Sequence, residues 1–166
     1  MHNFKTVLSV FLFVAVAAYK GRTAESSFPC FAGETSFGNG AIEFYVCIDS
    51  AIFLLTGVQD KYRVIEIRVV NQSEKLLRLS DQKDAITVVF NKTQITGVID
   101  VYRDATFWDA LAPETRKLLA YPENVPKNEE ETVFVFIPKS SSEELPSELR
   151  YRIASLPGEI VIARRK

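Results

Sequence analysis

The residues with the widest chemical repertoire are scarce in this chain of 166 residues, which holds one histidine and two cysteines. The histidine is His2, inside Met1-His2-Asn3-Phe4-Lys5, a positively charged start followed by the uncharged apolar run Thr6 to Ala18. That run is shorter than the ~20 residues a spanning helix needs and ends in small residues, Ala15-Val16-Ala17 or Val16-Ala17-Ala18, so it reads as a cleavable signal peptide. Cleavage would leave a mature chain without histidine. Such a chain can run neither a Ser-His-Asp nor a Cys-His mechanism, and it lacks the commonest ligand of a catalytic zinc. An uncleaved N-terminal anchor and a buried core helix are the other readings of the same run, and the anchor is the only route by which a membrane enters.

Cys30 and Cys47 form an even pair in a chain expected to be exported to an oxidising compartment. A disulfide between them would close a loop of roughly 15 residues and contribute about 3 kcal/mol in the chain-entropy treatment. The alternative is two unpaired thiols, which without a histidine have no partner to activate them. Carboxylates alone can hydrolyse glycosides, so a small carboxylate-dependent hydrolase stays on the list, although no motif singles out two acids. Asp81 with Asp84, or Glu129-Glu130-Glu131, could be set around calcium. Neither has the spacing of a recognised loop, and solvated charge is the plainer account. No cofactor or metal is expected, nor an enzyme.

Two triplets, Asn71-Gln72-Ser73 and Asn91-Lys92-Thr93, match the N-glycosylation acceptor pattern and follow predicted strands; plain turn asparagines are the alternative. Three aromatics in or beside non-strand segments, Phe37, Trp108 and Tyr121, could form a patch for a protein partner, because aromatics concentrate at interface hot spots. Against this stands the reading that Trp108 plugs one end of the fold.

The elements that position these residues follow from hydrophobic period. Glu131 to Pro138 is apolar on both parities, with Val133, Val135 and Ile137 on one side and Phe134 and Phe136 on the other, which predicts a strand buried on both faces. Ala41 to Asp49 alternates, Ile42, Phe44, Val46 and Ile48 facing in and Glu43, Tyr45, Cys47 and Asp49 facing out. Tyr62 to Val70 is a long strand ended by an Asx-type turn at Asn71-Gln72-Ser73. Shorter strands are expected at Ala51 to Val58, Leu76 to Leu79, Ala85 to Phe90, Ile95 to Tyr102, Leu149 to Ile153 and Glu159 to Ala163. Gly97 marks a bulge or a close backbone approach. Phe28 to Ala32 is expected as a short edge piece, because Pro29 disfavours a central strand. Thr106 to Ala120 breaks the pattern: Thr106 could cap a turn with Asp109, and Pro113-Glu114 fits the first two positions of one short helix running to Ala120, with Phe107, Trp108, Leu111, Thr115, Leu118 and Leu119 inward.

About seven to nine short strands with one helical connection predict an all-β sandwich in place of repeating βαβ units. The unit Ile65 to Ser73 followed by Leu77-Arg78-Leu79, together with Glu130 to Pro138, resembles exported immunoglobulin-like β-sandwich domains. The resemblance spans roughly 41–163 and implies architecture, with no functional residue to transfer. The cysteines and Trp108 stand elsewhere than in antibody-type domains. The expected organisation is a signal peptide at 1–18, a linker and N-terminal segment at 19–40, and a sandwich at 41–166.

Length, 47% hydrophobic residues and a net charge of −1 with acids and bases interspersed suit one domain and give nucleic acid no basic face. The expected role is an exported, non-catalytic binding protein of the cell envelope or extracellular space with a protein partner. The loops at Gly33–Gly40 and Phe107–Pro126 are its expected contact points. A secreted β-sandwich protease inhibitor, inserting the Gly33–Gly40 loop into a protease cleft, is the main alternative.

Overall fold

The computed structural model describes residues 30–47, 62–91, 93–97, 108–138 and 145–164. The signal segment, the strand expected at Ala51 to Val58 and the continuation of the Ile95 strand beyond Gly97 lie outside them. In chain order the elements are β1 (Cys30–Phe37), β2 (Gly40–Cys47), β3 (Tyr62–Asn71), β4 (Leu77–Arg78), β5 (Ala85–Val89) and β6 (Gln94–Gly97). There follow α1 (Pro113–Leu119), β7 (Asn124–Val125), β8 (Glu129–Pro138), β9 (Glu148–Arg152) and β10 (Ile160–Arg164).

Among the described residues the protein is mostly β with one helix, and eight strands join in a single antiparallel sheet of order β6-β5-β9-β10-β1-β2-β3-β8. A second, two-stranded ribbon pairs β4 with β7. One hydrogen-bonded sheet thus takes the place of the two packed sheets expected from the alternation. It curls until its ends meet, nearly a barrel: a Cβ on Gly97 in β6 would fall 2.3 Å from Val135 Cγ1 in β8. Period-2 alternation specifies a buried face and a wet face, and a rolled sheet satisfies it as well as a sandwich does. The close approach read from Gly97 is therefore real, and it is where the roll closes.

Strand β8 is buried on both faces from Val133 to Ile137, as its composition predicts. Val133, Val135 and Ile137 face the interior with Ile42, Phe44, Val46, Ile65, Ile67, Val69, Ile86, Val88, Leu149 and Ile162. Phe134 and Phe136 face outward onto a second cluster with Val64, Trp108, Leu111 and Leu119. That outer layer consists of the α1 segment, so helix and not strand covers the second face. β8 is also an end strand of the hydrogen-bonded order, paired with β3 over the full register from Tyr62↔Pro138 to Asn71↔Glu129. Truncating a side chain such as Phe136, fully buried here, costs about 3–5 kcal/mol in comparable cores.

Two expectations about the N-terminal part are corrected. Cys30 to Gly40 is neither linker nor edge piece, since β1 lies between β10 and β2 inside the sheet. Nor is Gly33–Gly40 a loop. β1 and β2 pair from Cys30↔Cys47 to Phe37↔Gly40, and only Gly38 and Asn39 lie between the strands. Gly38 has φ +60° while Asn39 stays negative, the signature of a type II′ hairpin turn, which matches the right-handed twist of the strands it joins.

The helix falls where the sequence puts it, one residue short of Ala120. α1 begins at Pro113, whose ring fits the first helical position, and its N-cap Ala112 makes no side-chain cap bond. A separate helical turn at Trp108-Asp109 precedes it, closed by the Leu111 amide donating to Trp108 O at 3.1 Å. Leu119 is buried, but Leu118, expected inward, is 37% exposed. Over only seven residues the helix presents one narrow stripe, and Leu118 and Leu119 are too far apart around the axis to share it.

Candidate functional site

Two groups of ionisable and aromatic side chains are organised by this fold, one inside and one outside. The inner one is centred on Asp84, 7% exposed, in the turn that leads into β5. Ser80 stands four residues earlier, and the Ser80 carbonyl accepts from the Asp84 amide at 2.8 Å while the Ser80 amide donates to Asp84 Oδ2 at 2.8 Å. The Ala154 amide, just beyond β9, donates to Asp84 Oδ1 at 2.8 Å. Tyr121, in the segment between α1 and β7, donates its hydroxyl to Asp84 Oδ2 at 2.7 Å. With its one proton committed there, Tyr121 accepts from the hydroxyl of Tyr151.

Tyr151 carries this chain into the interior, where its ring meets Phe44 edge-on at 5.7 Å. Burial, the largest cause, raises both phenols above the ordinary tyrosine value near 10. The neighbouring carboxylate works the same way, because a phenolate beside it would be a second buried anion. The carboxylate thus accepts from three protein donors, drawn from its own turn, the α1–β7 segment and the end of β9. Such an arrangement anchors the chain. A general acid or base would need a lone pair or proton turned toward a substrate. The reading of Asp84 as solvated charge or calcium ligand is corrected accordingly, while Glu129, Glu130 and Glu131 are exposed at the start of β8. Among the described residues no cluster of His, Cys, Asp or Glu could hold a metal.

The outer group lies across β2, β3 and β8. Strand parity turns Glu43, Tyr45, Arg68 and Glu130 outward, and the register sets Tyr45 opposite Arg68 and Glu130 opposite Val70. Tyr45 donates its hydroxyl to Glu43. The Arg68 guanidinium stands 5.1 Å over the Tyr45 ring, within cation–π range, and its Nε lies 3.9 Å from Glu130 Oε2. The Arg68 and Glu130 side chains are 48% and 59% exposed, so water screens this pair. What results is a continuous stripe of acid, aromatic, base and acid on the sheet, in which Tyr45 and Arg68 are of the types enriched at protein interfaces and the two glutamates are not.

The three aromatics expected at a partner surface are not brought together. Phe37 and Tyr121 are half-buried against the interior cluster, and Trp108 is 8% exposed in the outer cluster beneath α1. Trp108 covers the flank of β3 and β8 and plugs no end of the fold. Asn71 is fully buried. Its Nδ2 donates to Lys75 O at 2.8 Å and Val125 O at 3.0 Å, and its Oδ1 accepts from the Ser73 amide at 3.0 Å and hydroxyl at 2.7 Å. The Asx turn is as expected, but both amide hydrogens are used inside the fold, which leaves no bond for a glycan. Asn91 is exposed in the turn between β5 and β6. Cys30 and Cys47 stand opposite each other in the β1–β2 register.

Tyr45 and Arg68 were missed as site residues although the alternation of both strands places them outward. The missing information was the β2–β3 register, which alternation within each strand does not specify. No protein-family model, no curated protein and no solved structure matches this chain.

Proposed function

We propose that this protein is an exported, non-catalytic binding protein that engages a protein partner through the part of the outward face of β2, β3 and β8 around Glu43, Tyr45, Arg68 and Glu130, beside the part that the α1 segment covers. The observation that carries the reading is the contrast in polar groups. Among the described residues every buried side-chain nitrogen and oxygen has a hydrogen-bond partner, whereas Arg68 and Glu130 extend a charged aromatic stripe from half-buried Glu43 and Tyr45 into solvent. Export rests on the charged start and apolar run of residues 1–18. The immunoglobulin-like kinship read from the strand pattern adds an analogy of architecture, in which partners are held by sheet faces and edges, and nothing about the partner's identity.

Two other readings are less well supported. A protease inhibitor of this shape would insert a projecting loop, and at Gly33–Gly40 only Gly38 and Asn39 lie outside the strands. A carboxylate-dependent hydrolase would set two acids around a cleft, and the one buried acid among the described residues, Asp84, is engaged by three protein donors.

The test is capture by crosslinking from the native host's envelope and medium, comparing the tagged mature chain with an Arg68→Glu, Tyr45→Ala variant. One protein retained by the parent chain and lost by the variant is the expected result. Equal capture by both moves the interface elsewhere, and absence of any specific partner overturns the binding reading.

A further inference from the structure

The two cysteines are the only ones in the chain, and the fold puts them in one particular relation. In the β1–β2 register they are the outermost pair, Cys30↔Cys47, at the open end of a hairpin whose closed end is the Gly38-Asn39 turn. Directly opposed residues in an antiparallel ladder alternate between hydrogen-bonded and non-hydrogen-bonded pairs. The phase is fixed here by Ala41. Its carbonyl accepts from the Gln72 amide at 2.9 Å, on the side of β3, so its backbone polar groups point away from β1 and Ser36↔Ala41 is a non-hydrogen-bonded pair. Stepping along the ladder two residues at a time gives Glu34↔Glu43, Ala32↔Tyr45 and then Cys30↔Cys47, all of the same kind. In such pairs the Cα atoms lie about 4.5 Å apart, within the ~4.4–6.8 Å that a disulfide spans.

The same end of β1 has a second property. The sheet consists of two four-stranded halves, β6-β5-β9-β10 and β1-β2-β3-β8, joined through β1 and β10. That seam is short, with Phe31↔Arg164 and Ala32↔Ala163 the paired positions, against ten between β3 and β8. Both seam residues follow Cys30 directly. Beyond them the two backbones stay close, for a Cβ on Gly33 would lie 2.7 Å from Val161 O. Phe31, 1% exposed, is the anchor of this end in the interior. A hairpin frays first at its open end, and fraying from Cys30 would take Phe31 and Ala32, and with them the seam.

We propose that Cys30 and Cys47 oxidise to a cross-strand disulfide, a covalent clasp on the open end of the β1–β2 hairpin that stops β1 fraying and so steadies the adjoining β1–β10 seam. The proposal rests on the exported reading, since such a bond persists in an oxidising compartment. It forms by thiol–disulfide exchange. One cysteine thiolate attacks a disulfide oxidant and releases one thiol, and the second cysteine resolves the mixed disulfide and releases the other. The protein is oxidised by two electrons, and the oxidant leaves as two thiols.

The test uses the purified chain refolded with oxidised and reduced glutathione. The expected product is monomeric, resists alkylation until denatured and reduced, and lacks the mass of both thiol hydrogens. Hydrogen exchange then compares it with the reduced chain and with the Cys30→Ser, Cys47→Ser double variant. Reduction should speed exchange at 30–33 and 160–164 by on the order of a hundredfold, while the β3–β8 core remains protected. Alkylation of both cysteines in the native oxidised protein, or a disulfide joining two copies, overturns the clasp. So does exchange at the seam that ignores reduction. Because the bond is formed in vitro, its failure is separable from that of export, which is read independently by fractionating the host.

Discussion

The Asp84–Tyr121–Tyr151 chain and the Glu43–Tyr45–Arg68–Glu130 stripe are built from the same chemical parts, a carboxylate with phenols or a guanidinium, yet they have opposite consequences. In the first, three segments distant in sequence converge on one carboxylate away from water, and each donor has a single partner. In the second, neighbouring strands present their side chains to solvent, where charge pairs are screened and replaceable. Low dielectric makes a polar network decisive for folding, and high dielectric leaves it available for recognition. This difference assigns the first to the fold and leaves the second at the surface, where the proposed partner would meet it.

The largest test of the contrast is Asp84→Ala. It leaves the Ser80 amide, the Ala154 amide and the Tyr121 hydroxyl without their acceptor at once, and water can restore only the outer ones. The expected loss is about 3–5 kcal/mol in a denaturant titration. A loss below about 1 kcal/mol would mean the network is ornamental. Alkaline pH probes the same site without mutation. Both phenols are raised above their unfolded value near 10, so the native state holds protons that the unfolded state has released. The contribution is therefore intact below pH ~10 and lost as pH rises beyond it, with a slope approaching about 2.7 kcal/mol per pH unit for two groups. Ultraviolet titration should find two of the six tyrosines silent until the chain unfolds. Full titration of all six in the folded protein would contradict the burial.

Tyr151→Phe is the finer cut. It removes one hydroxyl, keeps the ring against Phe44, and leaves Tyr121 still donating to Asp84. A loss of about 1 kcal/mol is expected by the same denaturant titration. A much larger one would place the main role of the chain in the Tyr121–Tyr151 contact and not in the carboxylate.

The contrast also explains which features could be read in the sequence. Strand positions were legible wherever side-chain parity was enforced by burial, as in β3, β5, β8, β9 and β10, and the apolar identity of Phe134 and Phe136 announced a second covered face. The roll of the sheet was not, because it is set by how strand order closes. One sequence signal hinted at it, Gly97, which alone among nearby residues leaves room for Val135. Asn71-Gln72-Ser73 illustrates the opposite case. The triplet that attracts a glycosylation reading is the one whose amide and hydroxyl close an Asx turn, and only the Val125 carbonyl, 54 positions away, seals it inside. The Asp84 network failed to register for the same reason, since its donors lie 37 and 70 positions from the acid.

The smallest expected effect on folding comes from the stripe, and its smallness is what makes it informative. Arg68→Ala removes the guanidinium from the Tyr45 ring and from Glu130, both at an exposed site. Screening and side-chain freedom limit the loss of stability to about 0–1 kcal/mol. If the stripe serves a partner, the same substitution should weaken that binding by well over tenfold, because a guanidinium sealed from water by a partner contributes far more than one facing solvent. The two measurements separate the roles: calorimetric binding to the captured partner should respond strongly while the thermal midpoint barely moves. A change in the midpoint comparable with that of Tyr151→Phe, with binding untouched, would show that Arg68 braces β2 against β3 and β8 and would return the outer face to the fold.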